Sequence, residues 1–315
     1  MRHFLRDDDL SPAEQREVLE LALRLKAGRF GADAPRPLAG PRGVAVLLDK
    51  PTLRTQLSFA VGIAELGGYP MLVDGKLAQI GVRESVSDTA KVLGRQVAAI
   101  VWRTYDQSRI DEMAAHAGVP VVNALTDQFH PCQVLADLLT VAEHVGGAAG
   151  VGGLPGRTLA YLGDGSNNMA HSYLLGGATA GLHVRIATPV QRMPLPAVVA
   201  RAEQIAAGSG GSVMVTESVS EAVAGADAVA TDTWVSMGDE TSTDKAEALF
   251  ATFRLDAAVL AQAAPDAVVL HCLPAYRGME VTADVLDGPQ SVVFDEAENR
   301  LHAQKALLAW LLERT

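Results

Sequence analysis

The sequence predicts an α/β protein of two doubly wound parallel-sheet domains, and three features carry that expectation. Short apolar runs of strand length alternate with helix-period stretches along the chain. A Gly-rich stretch, Gly146-Gly147-Ala148-Ala149-Gly150-Val151-Gly152-Gly153, separates one series from the next. Polar residues gather just after the apolar runs, where an open parallel sheet presents its ligand-binding edge. At 315 residues the chain is long for one core, which fits two domains of about 150 residues each. The expected spans are 1–145 and 146–315, with the active site in the cleft between two facing sheet edges.

Taken in order, Ser11-Pro12-Ala13-Glu14 is a capped helix start, and Glu17 to Lys26 carries an amphipathic Leu pattern. Val44–Leu48 reads as a buried strand ending in Asp49-Lys50-Pro51. A helix follows Thr55 and stops at Gly67-Gly68. Tyr69–Val73 is the next strand. Gly75 to Glu84 has neither periodicity and is expected as an exposed loop carrying Gln79. Ser85–Leu93 is a helix, Ala98–Trp102 a strand ending in Arg103-Thr104, Ile110–Ala117 a helix and Pro120–Ala124 a strand. His130-Pro131-Cys132-Gln133 then opens a helix to about His144.

Beyond the Gly-rich stretch the pattern restarts. Thr158–Leu162 is a strand, followed by Gly163-Asp164-Gly165-Ser166-Asn167-Asn168 and a helix through Ala180. Val184–Ala187, Ser212–Val215, Ala228–Thr231 and Ala267–Leu270 are further strands, with helices at Leu195–Ala207 and Ser220–Ala224. Val292–Phe294 is expected as a last strand, and a terminal helix at about 299–313 is expected to pack back on the first domain.

Composition narrows the function. Hydrophobic residues at 49% and charged residues at 20% describe a soluble globular protein. A net charge of −11 argues against nucleic acid and anionic membrane as partners. No run approaches the roughly 18 apolar residues of a membrane span, and the N-terminal residues lack the apolar core of a signal peptide. Cys132 and Cys272 are the only cysteines, which fits a reducing cytoplasm better than a disulfide scaffold.

Thr52-Leu53-Arg54-Thr55 joins strand to helix, where free backbone N–H groups and a helix dipole favour an anion such as phosphate. An ordinary cap by Thr52 with a solvated Arg54 fits the same residues. Arg103, His130, Asn168, Asp232 and Cys272 also follow apolar strands. Taken singly, Asp232 suits a helix cap and Cys272 a small buried filler; their shared placement points to a cleft. Gly163-Asp164-Gly165 lacks the third Gly of a dinucleotide turn, and no phosphate-loop Gly-Lys-Ser/Thr occurs. No Cys/His cluster has metal-ligand spacing. His130 and Cys132 on one loop are poor evidence for a thiolate nucleophile.

Together the motifs resemble the aspartate/ornithine carbamoyltransferase family. The matches are Arg54-Thr55, Trp102-Arg103-Thr104, His130-Pro131-Cys132-Gln133, Asn167-Asn168-Met169, Asp232-Thr233-Trp234-Val235-Ser236-Met237-Gly238, His271-Cys272-Leu273-Pro274 and Glu298-Asn299-Arg300, in family order. Ser-Met-Gly and His-Cys-Leu-Pro are similar to the ornithine branch in particular. The resemblance implies a carbamoyl-phosphate domain followed by an ornithine domain, in a homotrimer or a multiple of trimers. It implies that Thr52, Leu53, Arg54, Thr55, Arg103 and Arg300 hold the phosphate, with Gln79 reaching in from a neighbouring subunit. His130, Pro131, Cys132 and Gln133 would face the carbamoyl group, with Cys272 and Leu273 lining the reaction centre. Asn168, Asp232, Ser236 and Met237 would hold ornithine, and Arg103, His130, Asp232 and Cys272 would be catalytic. No metal or organic cofactor is implied.

The chain departs from the family at the phosphate turn. The usual Ser-Thr-Arg-Thr-Arg and Phe-Glu read here as Thr52-Leu53-Arg54-Thr55-Gln56 and Phe59-Ala60. Three expectations follow: a working ornithine enzyme with a reshaped donor site, a paralogue with another donor or amine or with resistance to an inhibitor, and a non-catalytic binding homologue.

Overall fold

The computed structural model describes residues 1–31, 34–40, 42–235 and 243–314. It divides into two compact units, Met1–Ala136 with Glu298–Thr315, and Asp137–Ala297. The division falls inside two helices, Pro131–Val145 and Val293–Leu312. Hydrogen-bonded helix carries the chain out of one unit and into the next, so composition gives no mark there.

In the first unit, helix Pro12–Ala27 starts as its sequence dictates. Ser11 Oγ accepts from the Glu14 N–H (3.3 Å), and the Glu14 carboxylate accepts from the Ser11 N–H (2.9 Å). Strands β1 (Gly43–Leu48), β2 (Tyr69–Asp74), β3 (Ala99–Arg103) and β4 (Val121–Leu125) form a parallel sheet in the order β2-β1-β3-β4. The central strands are buried on both faces, which is why they read as unbroken apolar runs. Strand order reverses between β1 and β3, so their C-terminal ends border a crevice. Out of that edge come helix Arg54–Glu65, the Arg103 side chain and, after β4, helix Pro131–Val145.

The second unit repeats the plan. Strands β5 (Thr158–Leu162), β6 (His183–Ala187), β7 (Ser212–Thr216), β8 (Ala228–Thr231) and β9 (Val268–His271) lie parallel in the order β7-β6-β5-β8-β9. Its switch point lies between β5 and β8. The core beneath them is built from Leu162, Val223, Val229, Leu255, Val269 and Val281, among others.

Some expectations are corrected. Segment 75–84 is not simply a loop: Gly75–Ala78 is one helical turn, too short to show a period in sequence. Val292–Phe294 is not a strand. Only Ser291 bridges to the edge of β9, and Val293 opens a terminal helix that runs from Val293 to Leu312. Two β-branched residues imitated a strand, but the Val292 carbonyl already accepts the Glu296 N–H (2.9 Å) of that helix. The helix after Asn168 has its regular part at Asn168–Ser172 and continues as a wider π turn at Tyr173–Gly177. The Gly-rich stretch folds as a 3-10 segment, Gly147–Gly153, broken at Gly150. No described helix is long and apolar enough to cross a membrane.

Candidate active site

The first polar cluster grows from the edge of β1, β3 and β4. Leu53, not Thr52, is the N-cap of helix Arg54–Glu65, and no side chain caps this end. The first turn carries the positive end of the helix dipole, which favours an anion there. Thr55, in that turn, is buried, and its Oγ1 accepts from Arg103 Nη1 (3.4 Å) and Arg300 Nη2 (3.3 Å). Arg300 also donates from Nη1 to Gln133 Oε1 (2.5 Å). The Gln304 amide, oriented by its hydrogen bonds, accepts from Arg300 Nε (2.9 Å) and Nη2 (2.8 Å) and donates to Ser58 Oγ (2.6 Å).

These oxygens, which hold the two guanidiniums in place, are all neutral, so they do not cancel the positive charge that an anion would meet. His130 is buried among them. Burial, then the charges of Arg300, Arg103, Lys50 and Arg54, hold its imidazole well below its usual pKa, so the ring is neutral at neutral pH. It offers hydrogen bonds, not charge. Cys132 lies beneath, its Sγ donating to the Asn123 carbonyl (3.2 Å), and burial pushes its thiol up to about 12. A buried, protonated thiol of this kind is a poor nucleophile.

A second group backs this edge. The buried Asp49 carboxylate accepts from Trp102 Nε1 (3.1 Å), Thr104 Oγ1 (2.6 Å) and Arg109 Nη2 (3.4 Å). Lys50 pairs with Asp127 and lies over the Tyr105 ring (4.8 Å). Thr52 is half-buried, Leu53 exposed, Arg54 half-buried and Pro131 buried at the start of its helix. Gln79 is exposed, at φ 48.

In the second unit Asp232 follows β8 and Cys272 follows β9, which are adjacent strands. Cys272 Sγ donates to Asp232 Oδ1 (3.2 Å), as does the Thr233 N–H (2.7 Å). Burial raises the pKa of the Asp232 carboxyl. Burial and then the Asp232 charge push the Cys272 thiol far up, so it keeps its proton. His271 is enclosed: its Nδ1 accepts from the Leu273 N–H (2.9 Å), which leaves Nε2 to donate to Glu280 Oε1 (3.1 Å). Leu273 is itself held in the left-handed region, at φ 56.

Donor atoms of Asp232, His271 and Cys272 lie within 4.8 Å of one another, a set a metal ion could use in principle. Both His271 nitrogens are already committed, however, so the set works as a hydrogen-bonded network. Asn168 is half-buried at the first turn of its helix, which Asn167 caps through the Ala170 N–H (2.9 Å). Ser236 and Met237 lie outside the described residues.

The structure thus brings Thr55, Arg103, His130, Gln133 and Arg300 together in one unit, and Asp232, Cys272 and Leu273 in the other. Sequence reasoning missed Asp49, Arg109, Gln304 and Glu280. Asp49 carried a signal, as an acid directly after an apolar strand, and Gln304 lies one helical turn beyond Arg300. Nothing local marked Arg109 or Glu280.

Comparison with known proteins agrees with this geometry. Residues 2–143 match the carbamoyl-P binding domain, and residues 155–311 the Asp/Orn binding domain, of aspartate/ornithine carbamoyltransferase. The chain belongs to the aspartate/ornithine carbamoyltransferase family. It is 60% identical to an ornithine carbamoyltransferase of Clavibacter sepedonicus over 314 residues, covering 100% of this chain and 99% of the other. Against that of Bifidobacterium longum the identity is 57%, over 99% of this chain and 95% of the relative. The solved ornithine carbamoyltransferase from Pyrococcus furiosus superposes with a TM-score of 0.93 at 40% identity, covering 100% and 98% of the two chains. The anabolic enzyme from Campylobacter jejuni gives 0.92 at 34% identity, covering 100% of both.

Proposed function

We propose that this chain is a transferase that moves the carbamoyl group of carbamoyl phosphate to the side-chain amine of ornithine, giving citrulline and phosphate. The observation that carries the reading is the convergence of buried Arg103 and Arg300 on Thr55, at the uncapped N-terminus of helix Arg54–Glu65. Full-length relatives at 57–60% identity bear the name ornithine carbamoyltransferase and support the choice of acceptor.

In this reading the phosphate lies against the helix N–H groups, Thr52, Thr55, Arg54, Arg103 and Arg300. Neutral His130, with Gln133, gives hydrogen bonds to the carbamoyl group, while Arg103 stabilises the oxygen that becomes an oxyanion. The amine lone pair attacks the carbonyl carbon, the bond from that carbon to the phosphate oxygen breaks, and phosphate accepts the amine proton. Asp232 and the protonated Cys272 hold the amine, with Asn168, Ser236 and Met237 on the rest of ornithine. Cys272 and Leu273 line the reacting centre, and Gln79 from a neighbouring subunit completes the phosphate site. No strong protein base is needed, because the departing phosphate takes the proton; holding both substrates in line removes much of the entropic barrier.

We place this activity in arginine biosynthesis, in the cytoplasm, and in a homotrimer. Edge strand β2 exposes Tyr69, Met71 and Leu72, and the adjoining helix exposes Leu57 and Val61. An apolar sheet edge of this kind is a pairing surface unless covered, and a second copy of the chain is the cover this reading assigns. Light scattering on the purified protein should give three chains or a multiple of three. Citrulline formation from ornithine and carbamoyl phosphate is the deciding assay; no product at saturating levels of both would overturn the function.

A further inference from the structure

The Arg109 guanidinium has an unusual set of partners for a half-exposed residue. From helix Gln107–Ala117 its Nε donates to Thr104 Oγ1 (3.0 Å), and its Nη2 donates to the Ile80 carbonyl (2.8 Å) and to Asp49 Oδ2 (3.4 Å). The guanidinium lies over the Trp102 ring, 5.1 Å from its centroid. Trp102 and Thr104 in turn donate to the same Asp49 oxygen. One planar cation therefore ties the ends of β1 and β3 to the turn that follows Gln79.

That turn needs an anchor. Gln79 at φ 48 and Gly81 at φ 79 both occupy the left-handed region, which is costly for Gln and allowed for Gly. A Cβ on Gly81 would sit 3.1 Å from Arg109 Nη1, close enough to press the guanidinium by a few tenths of an ångström. Asp49 stands immediately before Lys50-Pro51-Thr52, the approach to the phosphate turn. Because Asp49 pairs with Arg109, this charge is not offered to a substrate anion.

We propose that Arg109 is a positioning residue for donor binding: it fixes the 79–81 turn to the strand ends of its own chain, and so sets the place from which Gln79 reaches the donor site of a neighbouring subunit. The inference rests on the reading of Gln79 as a donor ligand. Its test is a double-mutant cycle on the purified enzyme, with KM for carbamoyl phosphate, KM for ornithine and kcat measured for Gln79→Ala, Arg109→Met and the double variant. Gln79→Ala should raise the donor KM about tenfold, the loss of one hydrogen bond to a charged group. Arg109→Met should raise it nearly as much and leave the ornithine KM within about twofold, and the double variant should be little worse than either single one. Arg109→Lys should recover only part, since an ammonium can reach the Ile80 carbonyl but cannot span Thr104 and Asp49 as well.

Multiplied effects in the double variant, or an equal rise in the ornithine KM, would show Arg109 to be structural support alone and overturn the inference. An unchanged donor KM in Gln79→Ala would instead overturn the reading of Gln79, and the inference with it. Gly81→Ala, which pushes into the guanidinium without removing it, should give the same donor-selective rise; its absence counts against the proposal even where Arg109→Met fails to fold.

Discussion

Leu53→Thr and Gln56→Arg should act in the same direction on donor affinity and differently on stability. Leu53 is 66% exposed at the N-cap of helix Arg54–Glu65, so replacing it disturbs no core, and the expected stability change is within about 0.5 kcal/mol. Its backbone, at φ −98 and ψ −54, is helical and not the extended conformation from which a hydroxyl caps. The hydroxyl that Leu53→Thr introduces therefore remains available to the anion. One hydrogen bond to a charged group is worth about 1.5–3 kcal/mol, which lowers the donor KM by about 10–100-fold.

Gln56→Arg adds a further cation to the first turn, at the positive end of the helix dipole and near Arg54. Without an anion that costs about 0.3–1 kcal/mol; with phosphate bound the sign reverses. The assay is initial-rate kinetics with carbamoyl phosphate varied at saturating ornithine, together with Tm measured with and without inorganic phosphate. A donor KM unmoved by Leu53→Thr, or a Gln56→Arg Tm indifferent to phosphate, would refute the assignment of this turn to the leaving group.

Thr55→Val removes the oxygen that both Arg103 and Arg300 bind, and should raise the donor KM about tenfold while sparing the ornithine KM, read from the same kinetics. Asp232→Asn should raise the ornithine KM. It should also speed alkylation of Cys272, whose thiol is held protonated by burial and by the Asp232 charge, as followed by mass spectrometry. Cys132, at about 12, should resist the reagent until the protein unfolds. Acid should destabilise the fold through His130. Below the usual histidine value of 6.5 the unfolded chain binds a proton that the buried ring, with its depressed pKa, refuses. Stability from this group is thus complete above pH 6.5 and is lost as pH falls toward the depressed value, with a slope of up to about 1.4 kcal/mol per pH unit. His130→Gln should flatten that part of a Tm-against-pH curve.

Most of the scaffold was legible because its signals are local. A central parallel strand is buried on both faces and must be apolar throughout, so β3, β5 and β8 stand out in sequence within a residue or so of their ends. Errors came where a local signal has more than one tertiary outcome. Val292 and Val293 have the composition of a strand, yet the first turn of a helix buries them equally well. Gly75–Ala78 is too short to display any period. The chain also changes units inside continuous helices, where composition leaves no mark.

The same division holds at the site. By itself the sequence determined that Thr55, Arg103, His130, Asp232 and Cys272 would lie at the C-terminal ends of parallel strands, because each follows an apolar run whose direction the βα repeat dictates. Only the tertiary structure decided which of them touch. Thr55 and Arg300, 245 positions apart, share a hydrogen bond that no spacing rule foretells. Arg109 reaches Ile80 and Asp49 from a helix whose own pattern records only burial against its sheet. Periodicity reports which face of an element is buried; partnership between distant polar groups is set by strand order and by the direction of each side chain, which exist only once the sheets have formed.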